Sequence, residues 1–357
     1  LSKKNNHLIT LKAPNTLLLA LFCWSACQQP TQSTKTAIPA FYTWKTRFTP
    51  GEWENNTLQT WGAQRLYVKY ADIDWREGRG AVPVSSTQLD WAGLDSSIQI
   101  VPVFFIVHRV FEQLSAEASH TLAQRLLERV RTQSPVGKAL PEIQIDCDWT
   151  NSTRDAYFRF LEYLRAEIIL ILGENTRLSA TIRLHQVKYR EKTGVPPVDQ
   201  GLLMLYNFDR PSNATVKNSI LDIETANSYL KNTPPYPLPL DVALPLFAWG
   251  LHFRGNDFQG FLHDFRNKDA TKADFLTRIE QNIYRVNKDT SCLDAYFRPG
   301  DWIRLESAEP AALAKVWQLA QGLMSNNRCY LVFFDLNTQN IPFYTHEDLY
   351  QRLQMAH

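Results

Sequence analysis

The segment Glu142-Ile-Gln-Ile-Asp-Cys-Asp-Trp-Thr150 concentrates the chemistry of this chain. Read as a strand, its alternation puts Gln144, Asp146 and Asp148 on one face and Ile143, Ile145 and Cys147 on the other. If the apolar set packs under helices, two carboxylates and an amide share an interior face. Ionised carboxylates are costly there unless paired or hydrogen-bonded, and their closeness is expected to raise at least one pKa toward general-acid work. Asp148, nearer the end of the run, takes the functional role in this reading; Asp146 takes a structural one, tying neighbouring strands together. Polar residues also collect at the ends of other β-rich runs: Asp72 and Asp74, His108, His185, Tyr206 with Asn207 and Asp209, Trp249 and His252, and Asp335.

Those runs are Ala40–Trp44, Arg65–Ile73, Ile98–Val107, Glu142–Asp148, Arg177–His185, Gly201–Phe208, Asp241–Trp249 and Cys329–Leu336. Most are continuous Val/Ile/Leu/Phe runs, as parallel strands buried on both faces require. Helical spacing fills the gaps. Ser115–Thr132 carries Leu122, Leu126, Leu127 and Val130 on one face, and Arg154–Ile171 carries Phe158, Leu161, Leu164 and Ile168. Asn218–Lys231, Pro310–Leu323 and an amphipathic Trp302–Trp317 are read the same way. Eight such runs with helical crossovers predict an α/β fold, a single-domain (β/α)₈ TIM barrel over residues 38–357. The barrel mouth, at the strands' C-terminal ends, then gathers the polar residues named above. Leu251–Arg298 is long for one crossover and predicts an elaborated loop or small insertion. Ala295–Arg304 is a rival for strand 8.

The strand-4 segment resembles the G-x-D-x-D-W-E motif of family 18 glycoside hydrolases, the chitinase-like barrels. Leu66–Asp74 resembles that family's strand 2, Met204-Leu-Tyr206-Asn207 its M-x-Y-D on strand 6, and Ala243-Leu-Pro-Leu-Phe247 its G-L-P-x-Y on strand 7. The likeness spans roughly residues 38–350 and extends to TIM-barrel lipoproteins of environmental bacteria. The resemblance implies a carbohydrate partner, and four departures qualify it. Thr150 stands where the family has its general-acid Glu, Asn207 replaces the strand-6 Asp, Phe334 replaces the strand-8 Trp, and the strand-3 S-x-G-G is missing around Phe105. Threonine cannot protonate a glycosidic oxygen, so the family's substrate-assisted mechanism is not expected.

Two readings stay open, with the first slightly preferred. In one, the carboxylates are redeployed for hydrolysis around Asp146: Asp148 acts as acid with Asp74, Asp209 or Asp335 as its partner, two carboxyls about 5–9.5 Å apart being sufficient. In the other, a catalytically silent barrel binds polysaccharide or oligosaccharide through Trp75, Trp149, Tyr206 and Trp249, with Asn207, His108 and His185 as polar contacts. A third class, a structural component of the cell envelope, predicts a broad apolar surface patch instead. Arg109 and Arg183 are read as partners of the inward carboxylates. Asp241 opens its strand at the wrong end for catalysis and is read as structural. No HxH, HExxH or Cys/His spacing supports a metal, and no cofactor is expected.

The N-terminus reads as a targeting segment. Lys3, Lys4 and Lys12 precede an apolar run, Leu17–Trp24, too short to span ~30 Å of hydrocarbon as a helix. Ser25-Ala26-Cys27 followed by Gln28 resembles a bacterial lipoprotein signal. It implies a signal peptide over residues 1–26, lipidation of Cys27, a flexible tether over 27–37 and a place in the envelope, by the Gln28 signal the outer membrane. The remaining Cys147, Cys292 and Cys329 are an odd set that argues against a disulfide scaffold, although one pair could form. With a net charge of +2 and no Lys/Arg block, nucleic acid is not an expected partner. The 10 Trp, 14 Tyr and 19 Phe suit either an aromatic core or a cleft that stacks on sugar rings.

Overall fold

A computed structural model describes Leu1, residues 35–263 and residues 265–355. The signal, Cys27 and most of the tether therefore lie outside the described residues. Eight parallel strands close on themselves: β1 (Thr36–Thr43), β2 (Arg65–Arg76), β3 (Gln99–Ile106), β4 (Glu142–Asp146), β5 (Arg177–Ile182), β6 (Gln200–Met204), β7 (Leu240–Pro245) and β8 (Arg328–Phe334). Each pairs with the next, and β1 pairs with both β2 and β8. The (β/α)₈ barrel predicted from the hydrophobic runs is the observed fold. Its first strand begins two residues before Ile38.

Helices α1 (Glu52–Thr60), α2 (Ala116–Gln133), α3 (Arg154–Leu172), α4 (Ile223–Leu230), α5 (Pro310–Gln321) and α6 (His346–Met355) lie among the crossovers. α2 starts where the Ser115 hydroxyl accepts from the Ala118 N–H at 3.1 Å, and it buries Leu122, Leu126, Leu127 and Val130 as its spacing predicts. α3 buries Tyr157, Phe160, Leu161, Leu164 and Ile168 and stops at Gly173, whose φ of +91° continues no helix. α4 is shorter than the Asn218–Lys231 expected, because Asp222 caps it by accepting from Thr225 N at 2.6 Å. Between β2 and β3 a strand, Gly80–Ser86, folds back antiparallel on β2 in place of a helix.

Two readings of the C-terminal third need correction. β7 ends at Pro245, and the chain leaves the barrel for a five-stranded antiparallel insertion. Its order is Asp257–His263, Ala248–Arg254, Trp302–Ser307, Ile283–Val286, Leu276–Arg278. A small core of its own includes Leu262, Phe275, Tyr284, Phe297 and Ile303. Trp249 and His252 thus belong to the insertion, not to barrel strand 7. Trp302–Trp317 is not one helix: Trp302–Ser307 is a strand, and α5 begins only at Pro310, where proline's missing N–H costs nothing.

The barrel interior is polar along one register. Glu142, Gln144 and Asp146 are all buried, while Ile143, Ile145 and Cys147 join the core outside, Cys147 facing Tyr157 of α3. At the strands' N-terminal end Glu142 accepts from Arg65 at 2.7 Å, Ser179 at 2.5 Å and Tyr67 at 3.5 Å. Midway, Gln144 joins Tyr42 and Ser179. Asp241, structural as expected, accepts from the Tyr330 N–H at 2.6 Å. Cys147, Cys292 and Cys329 are free thiols.

Burial, reinforced by the Glu142 charge, raises the Asp241 carboxyl to about 8. A carboxyl whose pKa is higher folded than unfolded favours folding fully below about pH 4, and loses that contribution as the pH climbs through 8. Stability should therefore fall by a few kcal/mol between pH 4 and 8 in the parent. Asp241→Asn, which keeps the Tyr330 acceptor, should flatten the fall; urea unfolding across that range is the measurement.

Candidate functional site

Three short ion pairs ring the mouth. Arg183 forks onto Asp148, Nε to Oδ1 at 2.5 Å and a terminal nitrogen to Oδ2 at 3.3 Å. Arg109 grips both oxygens of Asp74, its Nε at 2.6 Å from Oδ1. Lys69 holds Asp72 at 3.0 Å. The hydrogen bonds of Arg109 keep the Asp74 carboxyl below the usual carboxylate range. The two arginines are thus the carboxylate partners their positions suggest. Asp148 is half-exposed at the rim, with both oxygens accepting from one guanidinium.

Asp146 and Asp335 differ from these. Asp146 is buried and accepts from Thr181 Oγ1 at 2.7 Å. Burial raises its carboxyl to about 6, with the Arg183 charge opposing and Asp148 assisting. Asp335 follows the cis Phe334–Asp335 peptide at the end of β8, and burial lifts it also to about 6 against the pull of Lys45. Asp146, read from sequence as a strand tie, does bridge β4 to β5 and also holds a proton-exchanging range.

Between them stands Tyr206, whose electrostatic neighbours include Arg183, Asp146, Asp148 and Asp335. Its hydroxyl is buried and has no hydrogen-bond partner. Around it runs an aromatic wall: Tyr42 and Trp44 at 5.5 and 5.7 Å from Phe334, Tyr206 at 5.3 Å from Phe334, then Phe247 at 5.9 Å. The series continues onto the insertion through Trp249, 5.0 Å from Phe247, to exposed Phe261, 5.2 Å beyond. A cleft of about 520 Å³ between insertion and barrel shares Trp249 with this wall but is lined by neither Asp146 nor Asp148.

Several expected site residues sit elsewhere. Trp149 is fully buried, packed at a tilt on Tyr157 and donating its Nε1–H to Thr193 O at 2.8 Å; it is a core residue, because the strand ends at Asp146 and the alternation lapses. Asp209 is exposed and organises its own loop, accepting from Arg210 N at 2.6 Å and Asn213 at 3.3 Å. Asn207 is exposed with φ +55°, a turn position asparagine tolerates. His108 is exposed beside Glu112 at 3.9 Å. His185 opens onto the Asp148–Arg183 pair from a short helix rather than a strand end; burial holds its imidazole below the ordinary value, with Asp148 opposing. Trp75 is half-buried on the β2 hairpin against Gly80. Trp249 donates to Glu306 at 2.8 Å, and His252 is buried against Asp301 at 2.8 Å inside the insertion. Thr150 bonds Ser152 at 2.9 Å in a loop turn. Among the described residues, no cluster of three metal-ligating side chains occurs. Sequence reading missed Tyr42, Trp44, Lys69 and Phe247. Tyr42 and Trp44 end the first β run, a position that could have flagged them.

Neither a family model nor a curated protein sequence matches the chain. Solved structures do. The spore cortex-lytic enzyme SleL of Bacillus megaterium QM B1551 superposes with a TM-score of 0.55 at 10% identity, covering 89% of this chain and 75% of its own. The class V chitinase of Nicotiana tobaccum gives 0.52 at 8%, covering 90% and 99%. The chitinase-like agglutinin RobpsCRA of Robinia pseudoacacia gives 0.51 at 13%, again covering 90% and 99%. The chain therefore has the fold of the chitinase-like barrels.

The unpartnered Tyr206 hydroxyl carries a desolvation cost in the folded state. Tyr206→Phe should raise unfolding stability by about 1 kcal/mol, measured by urea denaturation. A loss of stability would show that the hydroxyl is already satisfied.

Proposed function

We propose that the barrel mouth binds a glycan, and that Cys27 tethers the protein to the bacterial cell envelope, at the outer membrane. The observation that carries the glycan reading is the orphaned Tyr206 hydroxyl, buried beside Asp146 and set in a wall of Tyr42, Trp44, Phe334 and Phe247. A buried polar group without a partner is poised for one a ligand brings. The partly exposed faces of Trp44, Phe334 and Trp249 suit the apolar side of a sugar ring, and carboxyls suit its hydroxyls. Agglutination and chitin hydrolysis are both named among proteins of this fold, so the fold does not choose between binding and cleavage.

Binding without hydrolysis is the better-supported form. Asp148 and Asp74 are each engaged by an arginine, and Thr150 stands where the resembled family has its acid. One observation favours hydrolysis as a second reading: Asp146 and Asp335, both near 6, are suited to exchange protons at neutral pH. In that reading one protonated carboxyl would donate to the glycosidic oxygen while the other, ionised, activated water or attacked the anomeric carbon.

The test is a polysaccharide panel offered to the Cys27→Ser full chain, reading affinity and reducing-end release together. Binding should occur without release, and Phe334→Ala should weaken it about tenfold, the worth of one well-stacked ring. Tyr206→Phe should weaken binding as well. Release that disappears in Asp146→Asn would move the protein to the hydrolytic reading; failure to bind any polymer would sink both.

A further inference from the structure

The end of the barrel opposite the mouth carries an apolar promontory. Ile169, Leu170 and Ile171 are consecutive on the last turn of α3 and all exposed, Leu170 at 79%. Ile168 just before them is buried, so the helix's core-facing stripe is complete without these three. Val136, fully exposed, lies in the link that leads from α2 into β4. α2 and α3 pack side by side, with His120 of α2 bonded to Glu167 of α3 at 2.7 Å. Their C-termini feed β4 and β5, so Val136, which lines a groove with Ser86, Gln88 and Leu89, and the three α3 residues lie at the strands' N-terminal end. Scattered exposed apolar residues are ordinary; three in succession on one helix turn are a surface with a use.

The chain supplies the candidate occupant. It enters the barrel at Lys35, at the start of β1 and thus at this same end. From Cys27 to Lys35 is nine residues, a contour of at most ~30 Å. A lipid on Cys27 would hold the strands' N-terminal end within that distance of a bilayer, close to the ~26 Å that an eight-residue strand such as β1 spans. With the exposed end of α3 against the lipid, the mouth would be directed away from it.

We propose that Val136, Ile169, Leu170 and Ile171 dip into the lipid surface and orient the tethered barrel with its mouth outward. This rests on the Cys27 anchor proposed above. Short apolar side chains inserting at the headgroup boundary need little affinity of their own once a tether fixes their local concentration.

The full chain is purified with its native N-terminus and the mass of the Cys27 peptide is measured. Hydrogen exchange is then compared between that chain in phosphatidylethanolamine–phosphatidylglycerol vesicles and the Cys27→Ser full chain in buffer. Expected is about tenfold slower exchange in segments 134–138 and 169–175 on vesicles. The rate in 257–263, in the insertion that follows the C-terminal end of β7, should be unchanged, and Leu170→Asp should remove the slowing. Lipidated protein with no slowing at the two segments overturns the inference while leaving the anchor standing. Dimerisation of the Cys27→Ser chain that Leu170→Asp abolishes also overturns it, by assigning the patch to a second copy. An unmodified Cys27 overturns the anchor, and the inference falls with it.

Discussion

Everything in this barrel depends on partnering the charges that strand alternation forces into its interior. Once Glu142, Gln144 and Asp146 share a face, the inner positions of neighbouring strands must answer them. They do so in sequence: Arg65, Tyr67 and Ser179 at one end, Tyr42 midway, Thr181 near the mouth. Asp241 is answered differently, by protonation and one backbone N–H. Removing an answering group would leave a buried charge worth several kcal/mol of destabilisation, so this column constrains the strand register more tightly than apolar packing alone.

The strand ends arrange the mouth. Asp72 and Asp74 on β2 and Asp148 just past β4 each meet a cation from their own or the next strand end. These pairs stiffen the rim but also occupy the carboxylates that the motif would lead one to enlist for chemistry. What no arginine or lysine engages is deeper: Asp146, Asp335 and the Tyr206 hydroxyl, on an aromatic wall that the insertion extends through Trp249.

The barrel was legible because its strands are continuous apolar runs and its helices keep a 3.6-residue period; both signals are local. The insertion was legible only as excess length. Its strands are short, half-exposed and antiparallel, so Trp302–Ser307 merged by pattern with the helix after Pro310. Trp249 was misplaced because the apolar run continues unbroken through Leu246 and Phe247, although β7 ends at Pro245. Trp149 failed for a related reason. Period-two reasoning gives a face only while the ladder lasts, and β4 stops three residues earlier. The roles of Arg109 and Arg183 were readable since inward carboxylates demand cations, whereas the isolation of Tyr206 from any partner is a three-dimensional fact that no spacing encodes.

The contrast between the two kinds of carboxyl gives the mouth a built-in dependence on acidity. The arginine-bound pairs Asp74–Arg109 and Asp148–Arg183 are held by hydrogen-bonded geometry. Asp146 and Asp335, lifted by burial to about 6, change state across the neutral range. Above it they are ionised acceptors; below it each becomes a donor as well. The Tyr206 hydroxyl, flanked by both, can donate to either carboxylate's ligand without competing for the arginines. A mouth organised in this way has a floor that switches hydrogen-bonding sense across the neutral range.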